Sequence, residues 1–574
     1  MPGPTGRSVA ALAVLCLAAA NGASQDQHAA TADLVIRNGH VYTLAWSEPA
    51  SGAPSSNASG AASGWKADAE AVAGGRVLFV GTNAGAERYR GPKTRVIDAG
   101  GATVIPGLID AHVHIAELGA VLQRVNLVGV KTEAEAVEKV AARARTTPKG
   151  EWIVGWGWDE GAWANRYPDM KLLSERVPDH PVYLKGLHSF AVWGNRLAFE
   201  KAGITATTPA PEGGEIRKGP DGQPTGILTN RATALLERAV PPPTPKQLEE
   251  RIVAGLNAMA AGGYVAVHEA GAGSEEMQAL ERLAAAGRLP IRVYAMLSGR
   301  DRELLRAWRA RGPDRDAEKM LVVHSVKFFA DGALGSRGAW LLEDYSDRPG
   351  HRGAPDATFD KALAADMAKA GFQLAIHAIG DAANRDALDF FESLFAAAPA
   401  TRALRHRIEH AQVLDPRDIP RFARLGIIAS MQPPHAVEDK AWAQDRLGPE
   451  RVRGAYAWRS LREAGARLVF SSDLPGSDYD IFYGLHSAIT RRGKDLQPPG
   501  GWHPEQTMTP EEALRGYTTW AAYAAFVEDR TGVLAPGHWA DITILDVDPL
   551  EADAEKLLHG HVLATIVAGK VVYE

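Results

Sequence analysis

Two histidines one residue apart, His112 and His114, end the run VIPGLIDAHVH at residues 104–114. The run is apolar and β-branched, so it reads as a strand, and residues two apart in a strand face the same side. Two neutral imidazoles on one face are good donors for zinc or a similar divalent ion. Taken alone, the pair reads by default as two surface histidines. Later segments supply company: QLAIHAIGD (373–381) puts His377 at a strand end, and RIEHAQ (407–412) puts His410 at another. LVFSSDLP (468–475) leaves Asp473 just past a strand, and SVKFFADG (325–332) sets Lys327 inside an apolar one. Each has an ordinary explanation, such as an aspartate capping a helix or a lysine snorkelling to solvent. Together they describe a joint metal site. The chemistry such a site supports is hydrolysis, with water acidified by a cation and its proton handled by a carboxylate.

The elements that must position these groups alternate along the middle of the chain. Short apolar stretches at 104–109, 264–268, 291–296, 325–329, 373–377, 407–410, 427–431 and 468–472 are separated by alanine-, leucine- and arginine-rich helical segments. Repeats of about 30 residues suit βα units, and eight of them predict a closed parallel (β/α)8 TIM-like barrel with chemistry at its C-terminal mouth. An open doubly wound sheet is the alternative, but no Gly-x-Gly-x-x-Gly follows a strand. The stretch from His114 to His268 is far too long for one unit, which predicts a cap inserted at about 120–262. That cap holds Trp152, Trp156, Trp158 and Trp163, either as its own packing or as an apolar wall over a substrate.

Both chain ends read as β-structure. Residues 33–44 suggest a hairpin around Asn38-Gly39, residues 70–81 strands around Gly74-Gly75, and residues 540–545 and 561–573 a strand and a hairpin. Neither end has enough strands for its own core. The expectation is one small β-sandwich domain built from 32–106 and 531–574, flanking a barrel at 107–530.

Composition narrows the function classes. With 45% hydrophobic and 23% charged residues the chain is a globular protein, and its formal net charge of −6 offers no basic stripe for nucleic acid. Arg7, an apolar run at 9–20 and small residues through Ala23 have the anatomy of a secretory signal peptide at 1–23. A membrane-anchored start is the alternative. An exported periplasmic or extracellular protein cut there loses Cys16, its only cysteine. It then has no thiolate for nucleophile or ligand, so histidines and carboxylates must hold any metal. The expected partner is a small-molecule substrate, with no nucleic acid, no membrane in the mature chain, and room for a homo-oligomer. No Gly-x-Ser-x-Gly elbow or P-loop appears.

The phrases PGLIDAHVH, VKFFADGALGSRGA, AIHAIGD, RIEHAQ and SSDLP resemble the metal-dependent amidohydrolase superfamily. They are most similar to its YtcJ-like branch, amidohydrolase family 3, which includes the N-substituted formamide deformylases. The likeness runs from about residue 33 to the end, through the closing TGVLAPGHWADITILD. It implies that His112 and His114 bind one divalent cation and His377 and His410 a second, zinc being the first choice and one or two the expected number. Asp473 then binds the first cation and serves as catalytic acid/base, and Lys327 stands where the family can carry a carboxylated lysine bridging both. The implied activity is hydrolysis of a non-peptide C–N bond in an amide, N-acyl or N-formyl substrate. A deaminase, an esterase or lactonase on the same scaffold, and an exported binding protein are the alternatives.

Four further residues carry expectations. LKGLHSFAVWGN resembles the branch's histidine-bearing stretch, which makes His188 a substrate contact, although Gly186 and Phe190 depart from the phrase. Arg337 in GALGSRGA could bind a substrate carboxylate bidentately or form an ion pair within its loop. His268 reads as a pocket residue, and Glu409 as a structural group on the strand face opposite His410.

Overall fold

The computed structural model describes residues 31–48, 66–159, 163 and 167–574. The expected signal peptide at 1–23 and most of the small-residue segment at 47–64 lie outside them.

Eight parallel strands form one sheet: β1 (Leu108–Val113), β2 (Tyr264–Ala272), β3 (Arg292–Ser298), β4 (Leu321–Phe329), β5 (Gln373–Ala378), β6 (Arg407–His410), β7 (Ile428–Met431) and β8 (Arg467–Phe470). Each pairs with the next in chain order. The near-continuous apolar runs fit strands buried on both faces, and the helices between them complete the TIM-like pattern. The circle closes beyond the end of β8. Val113 bridges to Leu474, the Asp473 N–H donates to the His112 carbonyl at 2.9 Å, and the His114 N–H donates to the Leu474 carbonyl at 3.0 Å. The Asp110 carboxylate takes the Ser472 N–H at 3.1 Å where a ladder carbonyl would stand. Burial pushes that carboxyl up to about 7.

The first barrel strand differs from expectation. Thr103–Pro106 belongs to a flanking sheet, and β1 starts only at Leu108. Pro106 has no N–H to continue a ladder, and the Gly107 N–H turns to the Asp541 carbonyl at 2.8 Å. A Cβ on Gly107 would lie 2.4 Å from the Val265 methyls, so only glycine fits the hand-over between sheets.

Thr103–Pro106 pairs antiparallel with Ile542–Leu545, so strands from both chain ends share one six-stranded sheet. A four-stranded sheet lies beside it, and Leu34, Ile36, Val72, Val104, Ile542 and Ile566 pack in their common core. The hairpins at Gly74-Gly75 and Gly569 form, but the one at Asn38-Gly39 does not. Leu34–Arg37 pairs with Ala69–Ala73 and Arg95–Asp98, whereas His40–Tyr42 pairs with Thr103–Pro106 and Lys66–Ala67. Asn38 takes the left-handed conformation (φ 57°) a tight turn needs, yet its amide donates to the Asp98 carboxylate at 3.0 Å. That contact steers the chain from one sheet to the other.

Glu70, on Ala69–Ala73, is fully buried, and neither carboxylate oxygen finds a partner among the described residues. Burial pushes its carboxyl from 4.5 up to about 8. The folded state therefore resists ionisation. The penalty begins near pH 4.5, where the unfolded chain ionises, and is complete once pH passes about 8. Glu70→Gln is expected to raise the unfolding temperature by a few degrees at pH 9 and to leave it unchanged at pH 4, measured by calorimetry.

Between β1 and β2 the chain builds a separate six-stranded sheet that includes Ile153–Trp158, Val182–Gly186 and Ala191–Gly194. Several of its tryptophans pack its interior. Trp158 and Trp163 lie in the insert's core with ring centroids 6.0 Å apart and donate to the Leu184 and Val130 carbonyls. Trp152 and Trp156 are half-buried.

Candidate metal centre

The strand ends bring His112, His114, Lys327, His377, His410 and Asp473 to one mouth of the barrel. His112 is fully buried, and its Nδ1 lies 2.6 Å from Glu409 Oε2. An ionised carboxylate only accepts, so Nδ1 carries the proton and Nε2 turns its lone pair to the centre. Burial and the nearby Lys327 charge hold this imidazole down at about 4, hence neutral. Burial works against ionising Glu409, but the Arg407 guanidinium and His112 outweigh it and keep the carboxyl well below its usual range. Arg407 clamps both Glu409 oxygens at 2.8 and 3.0 Å and also reaches the Ala111 carbonyl, the Ser430 hydroxyl and His268 Nδ1. His268 thus lies behind the centre as an acceptor for Arg407.

Glu409 corrects an expectation, for it points inward like His410 beside it. The reason is local backbone. His410 and Ala411 adopt φ of 73° and 42°, so the strand's alternation ends at Glu409 and the next side chain turns back inside. His410 donates Nδ1–H to the Gln432 side-chain carbonyl at 2.9 Å, while Gln432 donates to the Ser471 hydroxyl at 2.9 Å. This frees His410 Nε2 for the centre. Burial and the neighbouring His377 hold His410 well below its usual range.

His377 stacks edge-on to His410 at 4.6 Å between centroids. Its Nε2 is buried without a hydrogen-bond partner among the described residues, 3.6 Å from Asp331 Oδ1. Burial and the Lys327 charge lower it to about 3. Lys327, almost wholly buried in β4, has its Nζ 3.0 Å from His112 Nε2, and burial lowers the amine to about 8. Asp473 (φ 60°) places Oδ1 3.3 Å from His114 Nε2 and 3.5 Å from His112 Nε2. Its Oδ2 is 3.8 Å from His435 Nε2. Burial would raise this carboxyl, but His112, His114, His410 and His435 outweigh burial and hold it well below its usual range.

These residues fit a divalent cation. Two imidazoles have the tautomer a metal requires, and a third carries an orphaned buried nitrogen. The imidazole–carboxylate separations of 3.3–3.8 Å are long for hydrogen bonds. They approach the spacing of about 3.3–3.4 Å that two ligands keep around a tetrahedral ion with bonds of about 2.0–2.1 Å. Among the described residues two donor trios gather within 4.8 Å, His112–His114–Asp473 and His410–His435–Asp473.

His435, in QPPH just past β7, also stands at the mouth, although its sequence pattern does not single it out. The two expected substrate contacts, His188 and Arg337, each face a carboxylate. His188 is exposed in the inserted segment, and its Nε2 is 4.0 Å from Asp159. Arg337 donates bidentately to Asp347 at 3.0 and 2.7 Å. Arg446 binds the same carboxylate. The fork that could have taken a substrate carboxylate is spent within its own loop.

The class is that of a TIM-like parallel barrel with imidazoles and a carboxylate, a candidate metal centre, converging at its mouth. The chain belongs to the amidohydrolase family, whose pattern matches residues 95–573. It is 32% identical to Bacillus subtilis (strain 168) YtcJ, whose name assigns it to the amidohydrolases, over 85% of this chain and 92% of that protein. It is 29% identical to the N-substituted formamide deformylase of Arthrobacter pascens, over 88% and 95% of the two chains. Among solved structures it is similar to an uncharacterized metal-dependent hydrolase from Pyrococcus furiosus, with a TM-score of 0.70 and 29% identity over 90% of this chain and 100% of that one.

Proposed function

We propose that the protein hydrolyses a non-peptide C–N bond in an amide, N-acyl or N-formyl substrate, with one or two divalent cations, zinc first among them, held at the barrel mouth. The observation that carries this reading is Asp473, a carboxylate whose two oxygens face different histidine groups. The similarity to a formamide deformylase and to a metal-dependent hydrolase supports it.

His112, His114, His377, His410 and Asp473 would hold the metal, with Glu409 and Gln432 fixing two of the rings. When bound, a divalent cation acidifies water and polarises a carbonyl. Asp473 accepts the proton of the attacking water and returns it to the departing nitrogen, serving first as base and then as acid. Burial of Lys327 leaves a share of its amine neutral near pH 8. That amine can add to carbon dioxide and release one proton, giving a carbamate anion suited to bridge two cations. Residues 1–23 fit a leader that exports the enzyme.

Stripping metal from the purified protein with a chelator is expected to abolish turnover of an N-acyl and N-formyl amide panel. Adding zinc back should restore it. Full activity in protein shown to be metal-free by elemental analysis would overturn the reading.

A further inference from the structure

His435 has no task in the mechanism above. It sits on the helix Pro433–Asp439, which starts almost at the end of β7 because Pro433 and Pro434 fit the first helical turn, where no N–H partner is needed. The short connection leaves His435 at the mouth, partly buried, with its ring nearly parallel to that of His410 (13°) and 6.1 Å away. Two carboxylates one turn on along the same helix could have claimed it, and both are engaged elsewhere. Glu438 accepts from the Ser477 hydroxyl at 2.8 Å, and Asp439 accepts from Tyr456 at 2.5 Å and Gln412 at 3.3 Å. Among the described residues the His435 imidazole makes no hydrogen bond, and the carboxylate it faces is that of Asp473, with Oδ2 at 3.8 Å.

The other side of that contact is equally open. Oδ1 of Asp473 lies between His112 and His114, while Oδ2 receives no hydrogen bond from any described residue. A carboxylate oxygen and an imidazole nitrogen that face each other at 3.8 Å, too far apart for a hydrogen bond, suit a shared cation. His410 supplies a third donor, since the Gln432 contact leaves its Nε2 lone pair free.

We propose that His435 is a ligand of the second cation position, joined there by His410 and by Oδ2 of Asp473. Asp473 then bridges the two positions, one oxygen to each. This rests on the metal-dependent reading above and adds a ligand to the set implied by resemblance. The arrangement needs only a small side-chain adjustment, because 3.8 Å exceeds the usual ligand–ligand spacing by a few tenths of an ångström.

The test is metal binding rather than turnover. Metal-free full-length protein is titrated with Co²⁺ alone, read by its visible absorption, and with Zn²⁺ alone, read by elemental analysis after desalting. Wild type is expected to take two equivalents. His435→Ala should keep the first and weaken the second by at least about 100-fold, whereas His114→Ala should weaken the first. His435→Gln covers the case in which the alanine variant fails to fold. Two equivalents bound by a folded His435 variant with wild-type affinity would overturn the proposal, as would a wild type that takes only one. A wild type that binds neither metal would instead bring down the metal-dependent reading itself.

Discussion

Asp473→Asn is expected to lower kcat by at least about 10³-fold, the range a lost acid/base group plus a lost anionic ligand would give. The substitution keeps size and shape, so the seam hydrogen bond from the residue 473 N–H to the His112 carbonyl should survive. What goes is the charge. An amide oxygen neither balances a cation nor takes a proton from water. Steady-state kinetics with circular dichroism as a folding check would read the effect. A folded variant within tenfold of wild-type kcat would show that Asp473 does not move the proton.

The second large effect belongs to a residue that meets no substrate. Glu409→Ala leaves Arg407 fully buried with its main counter-charge gone. Removing one partner of a buried ion pair costs about 3–5 kcal/mol, so a denaturation midpoint well below wild type is expected. The same change releases His112 Nδ1, which should weaken metal affinity by about 10–100-fold. Arg407→Met in the Glu409→Leu background removes both charges and should recover much of the stability but none of the metal affinity. Recovery of both together would mean that the clamp does not orient His112. Urea titration and metal competition separate the two readouts.

The parts of the site legible in the sequence are those whose side chains follow strand periodicity. His112 and His114 share a face because they are two apart, and His377 comes at the end of an apolar run, where a barrel opens. The eightfold rhythm is equally plain, since strands buried on both faces read as continuous apolar stretches. What escaped depends on backbone turns that composition does not mark. Glu409 and His410 share the inner side only because His410 enters the left-handed region. His435 is reached only because two prolines start a helix at once after β7. Asn38-Gly39 has the composition of a hairpin, yet a side-chain contact with Asp98 sends its two strands to different sheets. Arg337 has the right chemistry for a ligand, but a nearby aspartate on its own loop occupies it.

The seam between β8 and β1 has a consequence for biosynthesis. Asp110 and Ser472, which meet there, are 362 positions apart, and Thr103–Pro106 likewise waits for Ile542–Leu545. On the ribosome, the early histidines emerge long before their carboxylate partner, and the flanking sheet stays short of a strand until Ile542–Leu545 has been made. A nascent chain is therefore an inert half-ring with an open edge, and it becomes a catalyst only as these later segments dock.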